Sequence, residues 1–495
     1  VTHRVMGAGG TGSSVSRRSS LSPLTSASWV TSKAGGRYEM LWHMMRQASP
    51  LGTRELVLFA LLVKAYALVY TFSRVHHYTL WKFFAKLLWK NAATRPPVLI
   101  VLILLGWSWV VRTCTAAGME LELVLGGPTK PSSMAVSCAL VLTNIFLSVH
   151  LVHLLASEVP GLTWRPWLTT NVLLHAVLAL VIAAPHKWLH ADARTSLLRA
   201  AWDSLIAPFA PVSFWHVIVA DYATSLAKAF ADVQLLFCEA HAIASLPEQP
   251  GAPYTRTTVL WEQMHPACVD SPFNPALLAL PFWVRLCQCL HVYAHTKEQK
   301  NLWNALKYST AFPLIYLGWH RRVYPSPFAS RLFVLAAVLN SSYTFVWDVL
   351  MDWGMLRWDK ERSCWSLTMR EQTIISARKA TYALLAAFNL SLRFLWAMAV
   401  FGAVPTRGHG MFFFEAMEIA RRTVWAAFRI EWEYVAKVLP KASATYAAVD
   451  KDSIDGEDAS LLPVHDVERA LDRGPKGAAT AGARALRPLG TDVDL

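Results

Sequence analysis

Ten stretches of this 495-residue chain are apolar for about 20 residues at a time, the length at which a helix spans a bilayer's hydrocarbon. They cover roughly residues 54–73, 97–114, 132–155, 167–187, 213–238, 275–293, 302–320, 328–353, 375–401 and 413–437. No backbone polar group is left unpaired in lipid, so runs of this length and composition predict helices, and the fold class is an all-α polytopic membrane bundle. The first four runs are nearly plain hydrocarbon, as in Val98-Leu-Ile-Val-Leu-Ile-Leu-Leu-Gly106, whereas the last six carry ionisable residues in mid-segment. That asymmetry divides the chain into four scaffold helices over 51–190 and six working helices over 191–439. Residues 1–50, rich in Ser, Gly and Arg, and 440–495, without periodicity, are expected to be disordered cytoplasmic ends. Two further segments, 77–92 and 189–209, have the amphipathic pattern of helices lying in the membrane interface.

Composition supports the membrane class: 54% of residues are hydrophobic and only 16% charged, against about 25% charge in soluble domains. The net charge of +14 disfavours nucleic acid as a partner, because Lys and Arg lie between or inside the apolar runs and not on one polar face. Basic residues at 294–301 and 354–374 place those loops in the cytosol, and an even number of spans then leaves both termini cytosolic. The basic connection at 74–96 falls on the opposite side, so its lysines are assigned to the interface. Which membrane, plasma membrane or a Golgi-like or vacuole-like endomembrane, stays open. Seven widely spread cysteines form no zinc spacing, and no cofactor or metal is expected. Cys287 and Cys289 are packing residues, while Cys238 and Cys268 flank one polar loop and could pair in an oxidising compartment.

A charge at mid-bilayer costs about 3 kcal/mol or more, so it is paired or lines a water-filled path. In the fifth run Asp221, Ser225, Lys228 and Asp232 share one helical face; in the eighth, Asn340, Thr344, Asp348 and Asp352 recur every four residues. Arg285 lies in the sixth run, Lys307 in the seventh, and Arg393 in the ninth, three residues before Trp396. The tenth carries Arg421 and Arg422, with Glu418 and Arg429 a turn or two away. Any single member could be an ion pair that is simply structural glue. Counting the five cations Arg285, Lys307, Arg393, Arg421 and Arg422 against Asp221, Asp348 and Asp352 leaves an excess of two positive charges. Such a set points to an anion pathway, and arginine forks suit a tetrahedral oxyanion.

From about residue 196 to 435 the sequence resembles the EXS family of membrane phosphate exporters. The matching stretches include Val219-Ala-Asp-Tyr-Ala-Thr-Ser-Leu226, Leu280-Pro-Phe-Trp-Val-Arg-Leu-Cys-Gln-Cys-Leu290 and Asn304-Ala-Leu-Lys-Tyr308. Trp347-Asp…Met351-Asp-Trp-Gly354, Leu392-Arg-Phe-Leu-Trp396 and Arg421-Arg-Thr-Val-Trp425 complete them, with weaker similarity around Gly106-Trp-Ser-Trp. The resemblance implies export of inorganic phosphate, with the lipid bilayer as the other partner and a homodimer left open. Carried over by position, it implies a phosphate site of Asp221, Arg285, Lys307, Tyr308, Asp348, Asp352, Arg393, Trp396, Arg421 and Arg422. Thr224 stands where the family usually has Asn, so a hydroxyl replaces an amide there, and Trp396 is a candidate gate or an ordinary packing residue. The family's lysine-rich SPX sensor has no counterpart in residues 1–50, although the chain begins at Val1 without a methionine. Two other readings are carried: a non-transporting receptor or trafficking scaffold that keeps the fold, and a membrane enzyme acting on lipid phosphates. The last is disfavoured by the lack of a spaced His/Asp motif.

Overall fold

The computed structural model describes residues 53–75, 94–126, 132–157, 166–183, 191–206, 211–244, 266–355, 357–359, 364–366, 372–400 and 409–440. The expectations for 1–50, for the interfacial segment 77–92 and for the tail after 440 lie outside these residues.

The described chain is helical almost throughout. In order the helices are α1 Thr53–Val75, α2 Arg95–Ala116, α3 Leu121–Leu125, α4 Ser132–Ser157, α5 Pro166–Ala183, α6 Ala191–Leu205, α7 Phe214–Ser225 and α8 Ala227–Ala244. They continue as α9 Phe273–Thr296, α10 Gln299–Ser309, α11 Ala311–Val323, α12 Pro327–Trp347, α13 Lys379–Arg393, α14 Trp396–Val400 and α15 His409–Glu433. The one sheet among the described residues is a short antiparallel hairpin, β1 Arg357–Asp359 with β2 Cys364–Ser366. Helix starts follow the sequence: Pro96 and Pro97 open α2, where missing N–H groups cost nothing, and Ser326 caps α12 by accepting from Ala329 N at 3.0 Å.

Five helices among the described residues are long and apolar enough to cross a bilayer, within 95–116, 132–151, 273–296, 327–352 and 379–398. Only 17 to 33% of each such stretch is buried inside the protein, so most of its apolar surface is left for lipid. The protein is an all-α membrane helix bundle. The amphipathic connector read at 189–209 forms α6, which exposes Leu197, Leu198, Trp202 and Leu205.

Three runs read as single spans are each two helices. The run 213–238 breaks at Leu226 between α7 and α8, the run 302–320 at Thr310 between α10 and α11, and the run 375–401 at Phe394–Leu395 between α13 and α14. A hydroxyl takes a carbonyl near each break. Thr224 Oγ1 donates to Asp221 O at 2.7 Å, Thr310 Oγ1 to Lys307 O at 2.7 Å, and Ser341 Oγ to Arg393 O at 2.9 Å. Ser and Thr side chains thus offer the backbone partners that the helical ladder gives up, which apolar periodicity does not reveal. Two π-helical turns, Asp348–Asp352 and Tyr434–Val438, widen the ends of α12 and α15.

One apolar core joins α2, α7, α12, α13 and α15 around Trp353, Trp425, Tyr382 and Ile218, all nearly inaccessible. A second, around Leu174, Phe146 and Leu147, ties α1, α4 and α5 together. Gly354 closes the wide turn after α12 with φ +58°, and a Cβ there would sit 2.6 Å from the indole of Trp432. Gly354→Ala therefore combines left-handed strain with overpacking and is expected to cost about 2–4 kcal/mol, read as a lowered unfolding midpoint in detergent.

Candidate functional site

The five breaks and wide turns bring ionisable side chains from different helices together in the bundle interior. From α7, Asp221 Oδ1 accepts from Arg285 Nε of α9 at 2.9 Å and from the Tyr308 hydroxyl of α10 at 2.6 Å. The Arg285 guanidinium lies 4.7 Å above the Tyr308 ring and also donates to Gln288. Beside it, Lys307 Nζ sits over Tyr308 and Trp347 at 4.5 and 5.3 Å, and pairs with Asp352 Oδ2 at 3.7 Å.

The π turn at the end of α12 sends its two aspartates to different neighbours. Asp348 Oδ2 accepts from Arg393 Nη2 at 2.6 Å and from Asn389 Nδ2 at 3.0 Å, with Arg421 Nη1 at 3.6 Å. Asp352 turns instead toward Lys307, the Trp425 indole at 3.1 Å and Arg429 at 3.5 Å. On α15, Arg421 grips Glu418 with both ends of its fork, at 2.8 and 2.6 Å, and donates to Asn389 Oδ1 at 3.3 Å.

Arg422 is arranged differently. Its Nε donates to Ser225 Oγ at 3.0 Å, its Nη2 to Thr224 Oγ1 at 3.1 Å, and its plane lies 4.6 Å from the Trp425 ring centre. It is 6% exposed, and no carboxylate among the described residues forms an ion pair with it. Thr224 is thus one of the two hydroxyls that hold it. Trp396, which opens α14, donates its indole N–H to Ser341 Oγ at 3.0 Å, and Ser341 in turn bonds the Arg393 carbonyl.

All eleven residues singled out from sequence fall within this network of α7, α9, α10, α12, α13, α14 and α15. The count of an excess of two positive charges changes, because Glu418 pairs directly with Arg421: the five cations face four carboxylates, Asp221, Asp348, Asp352 and Glu418. The stripe Asp221, Ser225, Lys228, Asp232 also divides, since the break at Leu226 leaves the first two in this network and sends the last two elsewhere. Sequence reasoning left out Asn389, Trp425 and Gln288, neutral side chains that carry no membrane penalty large enough to mark them. Glu431 is fully buried and accepts from Ile374 N, Ile375 N and the Tyr382 hydroxyl at 2.5, 2.9 and 2.7 Å, pinning the connection before α13 to α15. Among the described residues no group of three His, Cys, Asp or Glu side chains is placed to hold a metal ion.

Away from the network, Cys238 and Cys268 form a disulfide with Cα atoms 5.7 Å apart, closing the connection between α8 and α9. Cys114, Cys287 and Cys289 are free thiols.

The profile of the EXS family matches residues 92–435, taking in α2 and α4 as well as every helix of the charged network. Among curated proteins, the chain is 26% identical over 384 residues to Protein ERD1 of Saccharomyces cerevisiae, covering 71% of this chain and 96% of that protein. It is 25% identical over 286 residues to Solute carrier family 53 member 1 of Mus pahari, which covers 53% of this chain and 38% of the relative. To the SPX and EXS domain-containing protein 1 of Dictyostelium discoideum the identity is 26% over 263 residues, spanning 27% of that protein. The chain thus spans about a third of these two longer relatives and nearly all of the yeast one. With the family profile running from the start of α2 to the end of α15 and the charged motifs gathered into one interior, this chain belongs to the EXS family.

Proposed function

We propose that the protein exports inorganic phosphate across a membrane through the charged interior of α7, α9, α10, α12, α13, α14 and α15. The observation that carries this reading is Arg422. A buried guanidinium held by two hydroxyls and a ring, with Glu418 reached only through Ser225 and no carboxylate in direct contact, keeps its donors open to an oxyanion in a low-dielectric interior. Arg421, Arg393 and Lys307 stand around it with their charges partly met by Glu418, Asp348 and Asp352. Such a well binds an oxyanion firmly enough to admit it and weakly enough to release it, because the fixed carboxylates compete for the same donors. Trp396 flanks Arg393 and is the candidate gate residue of the path.

The sidedness also fits. Ten spans with the basic loops in the cytosol put both termini there and the α8–α9 connection on the opposite face. A disulfide closes that connection, and disulfides persist in oxidising compartments such as the exterior or the secretory lumen. The solute-carrier name of one set of relatives supports transport as the activity. The name retrovirus receptor, borne by a Xenopus laevis relative 26% identical over 278 residues, supports the second reading, a receptor or scaffold that keeps the fold without moving solute.

Phosphate binding and flux separate the two. Purified protein is expected to bind radiolabelled phosphate and, in proteoliposomes, to release it, with sulfate as a competitor. Arg422→Gln should weaken phosphate binding by roughly a hundredfold, the scale of losing a charged hydrogen-bonding partner. Full binding by this variant, or no flux from the wild type, would overturn the reading.

A further inference from the structure

Between the central network and the disulfide-closed end lies a second buried ion cluster, built on residues outside the proposed phosphate site. Arg95 opens α2, Lys228 and Asp232 lie on α8, and Glu415 stands in the second turn of α15. Arg95 Nε is 3.3 Å from Asp232 Oδ2, and Arg95 Nη1 is 3.2 Å from Glu415 Oε1. Lys228 pairs with Asp232 from one turn away. Asp232 is 0% and Glu415 7% exposed.

One turn inward from each partner is an apolar residue. Leu99 follows Arg95, Ala229 precedes Asp232 and Ile419 follows Glu415, and these three form a buried cluster backed on the inner side by Leu102, Ile103 and Leu226. Beyond that layer come Ser225, Glu418, which accepts from Ser225 Oγ at 2.8 Å, and Arg422. From the disulfide end, Arg95, Asp232 and Glu415 come first as a charged cap, then the apolar layer as a plug, with Lys228 reaching outward past it from beside Ala229, and then the anion site. A dry apolar constriction blocks an ion as surely as a steric one.

The two carboxylates of the cap are not held equally. Asp232 is gripped by Arg95 and by Lys228. Glu415 has one ion-pair partner, Arg95, while one oxygen of each carboxylate, Glu415 Oε2 and Asp232 Oδ2, is buried without a hydrogen bond, so the difference between them is the second cation on Asp232. The cap's weak member therefore sits on the same helix, and within one turn of the same residues, as the plug.

We propose that this cap is the exit gate of the path, with the Glu415 carboxylate acting as a tethered substitute for the leaving oxyanion on Arg95. The inference rests on the phosphate reading of the central site. A phosphate passing the plug offers Arg95 the same oxygen chemistry with more charge, so it displaces the singly held Glu415 and leaves the doubly held Asp232 in place. Ile419, one turn further along α15, is the plug residue tied to Glu415, so releasing Glu415 frees the turn that carries it and the cap and the plug open together. The ligand class of this station is a tetrahedral oxyanion, met by Arg95 and Lys228.

The test uses full-length protein in proteoliposomes loaded with phosphate. Glu415→Gln keeps the shape and removes the competing charge. It is expected to raise initial efflux several-fold and to lower, by roughly tenfold, the external phosphate concentration that inhibits efflux, as one lost charge-assisted competitor implies. In the double variant with Arg95→Gln both gains should disappear. Efflux and external inhibition within twofold of wild type, or efflux lowered together with thermal stability, would mean that the cluster is only a structural clasp. If the glutamine variant does not fold, Glu415→Asp carries the test, since it keeps the charge and shortens the tether: raised efflux supports the gate, and unchanged or lowered efflux overturns it. Failure here with intact wild-type flux and a binding defect in Arg422→Gln removes the gate alone. Absence of wild-type flux removes both readings.

Discussion

On the proposed reading, phosphate efflux is expected to fall to background in Arg421→Ala, and the protein to lose about 3–5 kcal/mol of stability, the range seen when one partner of a buried ion pair is removed. Arg421 is 2% exposed and serves three acceptors on three elements: Glu418 on its own helix, Asn389 on α13 and Asp348 at the end of α12. Alanine leaves Glu418 with Ser225 alone and takes from Asp348 one of its two cations. The uncompensated carboxylates repel an arriving anion, so flux is lost even in the fraction that folds. Arg421→Lys separates these effects. An ammonium restores the charge without the planar fork that grips Glu418 twice, so stability should recover in part and efflux should not. Size-exclusion profiles, unfolding midpoints and proteoliposome efflux give the readout. Wild-type efflux in Arg421→Lys would show that the fork geometry is not used by the transported ion.

The second large effect comes from the other end of the bundle. Cys238 and Cys268 are separated by 30 residues, and cross-linking a loop of that length stabilises by about 3–4 kcal/mol through the lost freedom of the unfolded chain. Cys268→Ser is expected to lower the unfolding midpoint accordingly, and a reductant should do the same to the wild type but not to the variant. A membrane-impermeant reductant adds a spatial reading. Applied to the non-cytosolic face of sealed vesicles it should reduce this bond, and applied to the cytosolic face it should not. Reduction from the cytosolic face alone would invert the proposed topology.

The parts legible in the sequence were those with a large energy attached. Apolar runs and charges inside them are costly enough to mark themselves, and Arg285, Lys307, Asp348 and Arg421 were visible on that ground before any neighbour was known. What escaped depended on local competition or on geometry across the bundle. The breaks after Ser225, Ser309 and Arg393 occur inside stretches whose hydropathy reads as one continuous run, and a threonine hydroxyl on a carbonyl looks in sequence like any other threonine. Glu418 was noted beside the arginines, but its side chain could have faced lipid headgroups or the interior, and only the fork contact with Arg421 decides the charge count. Arg95 and Glu415, near the ends of the runs at 97–114 and 413–437, were not singled out, because their meeting with Asp232 joins three distant segments.

The joints at Leu226, Thr310 and Phe394–Leu395 have a mechanical consequence. A continuous helix resists bending because every carbonyl is committed to its own ladder, whereas a joint whose carbonyl is satisfied by a hydroxyl can change angle without exposing a bare polar group to lipid. Each joint lies within three residues of a charge or hydroxyl of the network: Ser225, Lys307 and Arg393. The rods on either side are therefore short levers whose pivots sit beside the charged network. On the proposed transport reading, occupancy of the interior by an ion and the tilt of the half-helices would be one coordinate, and rearrangement of a few side chains would reach the ends of the bundle without unwinding any long helix.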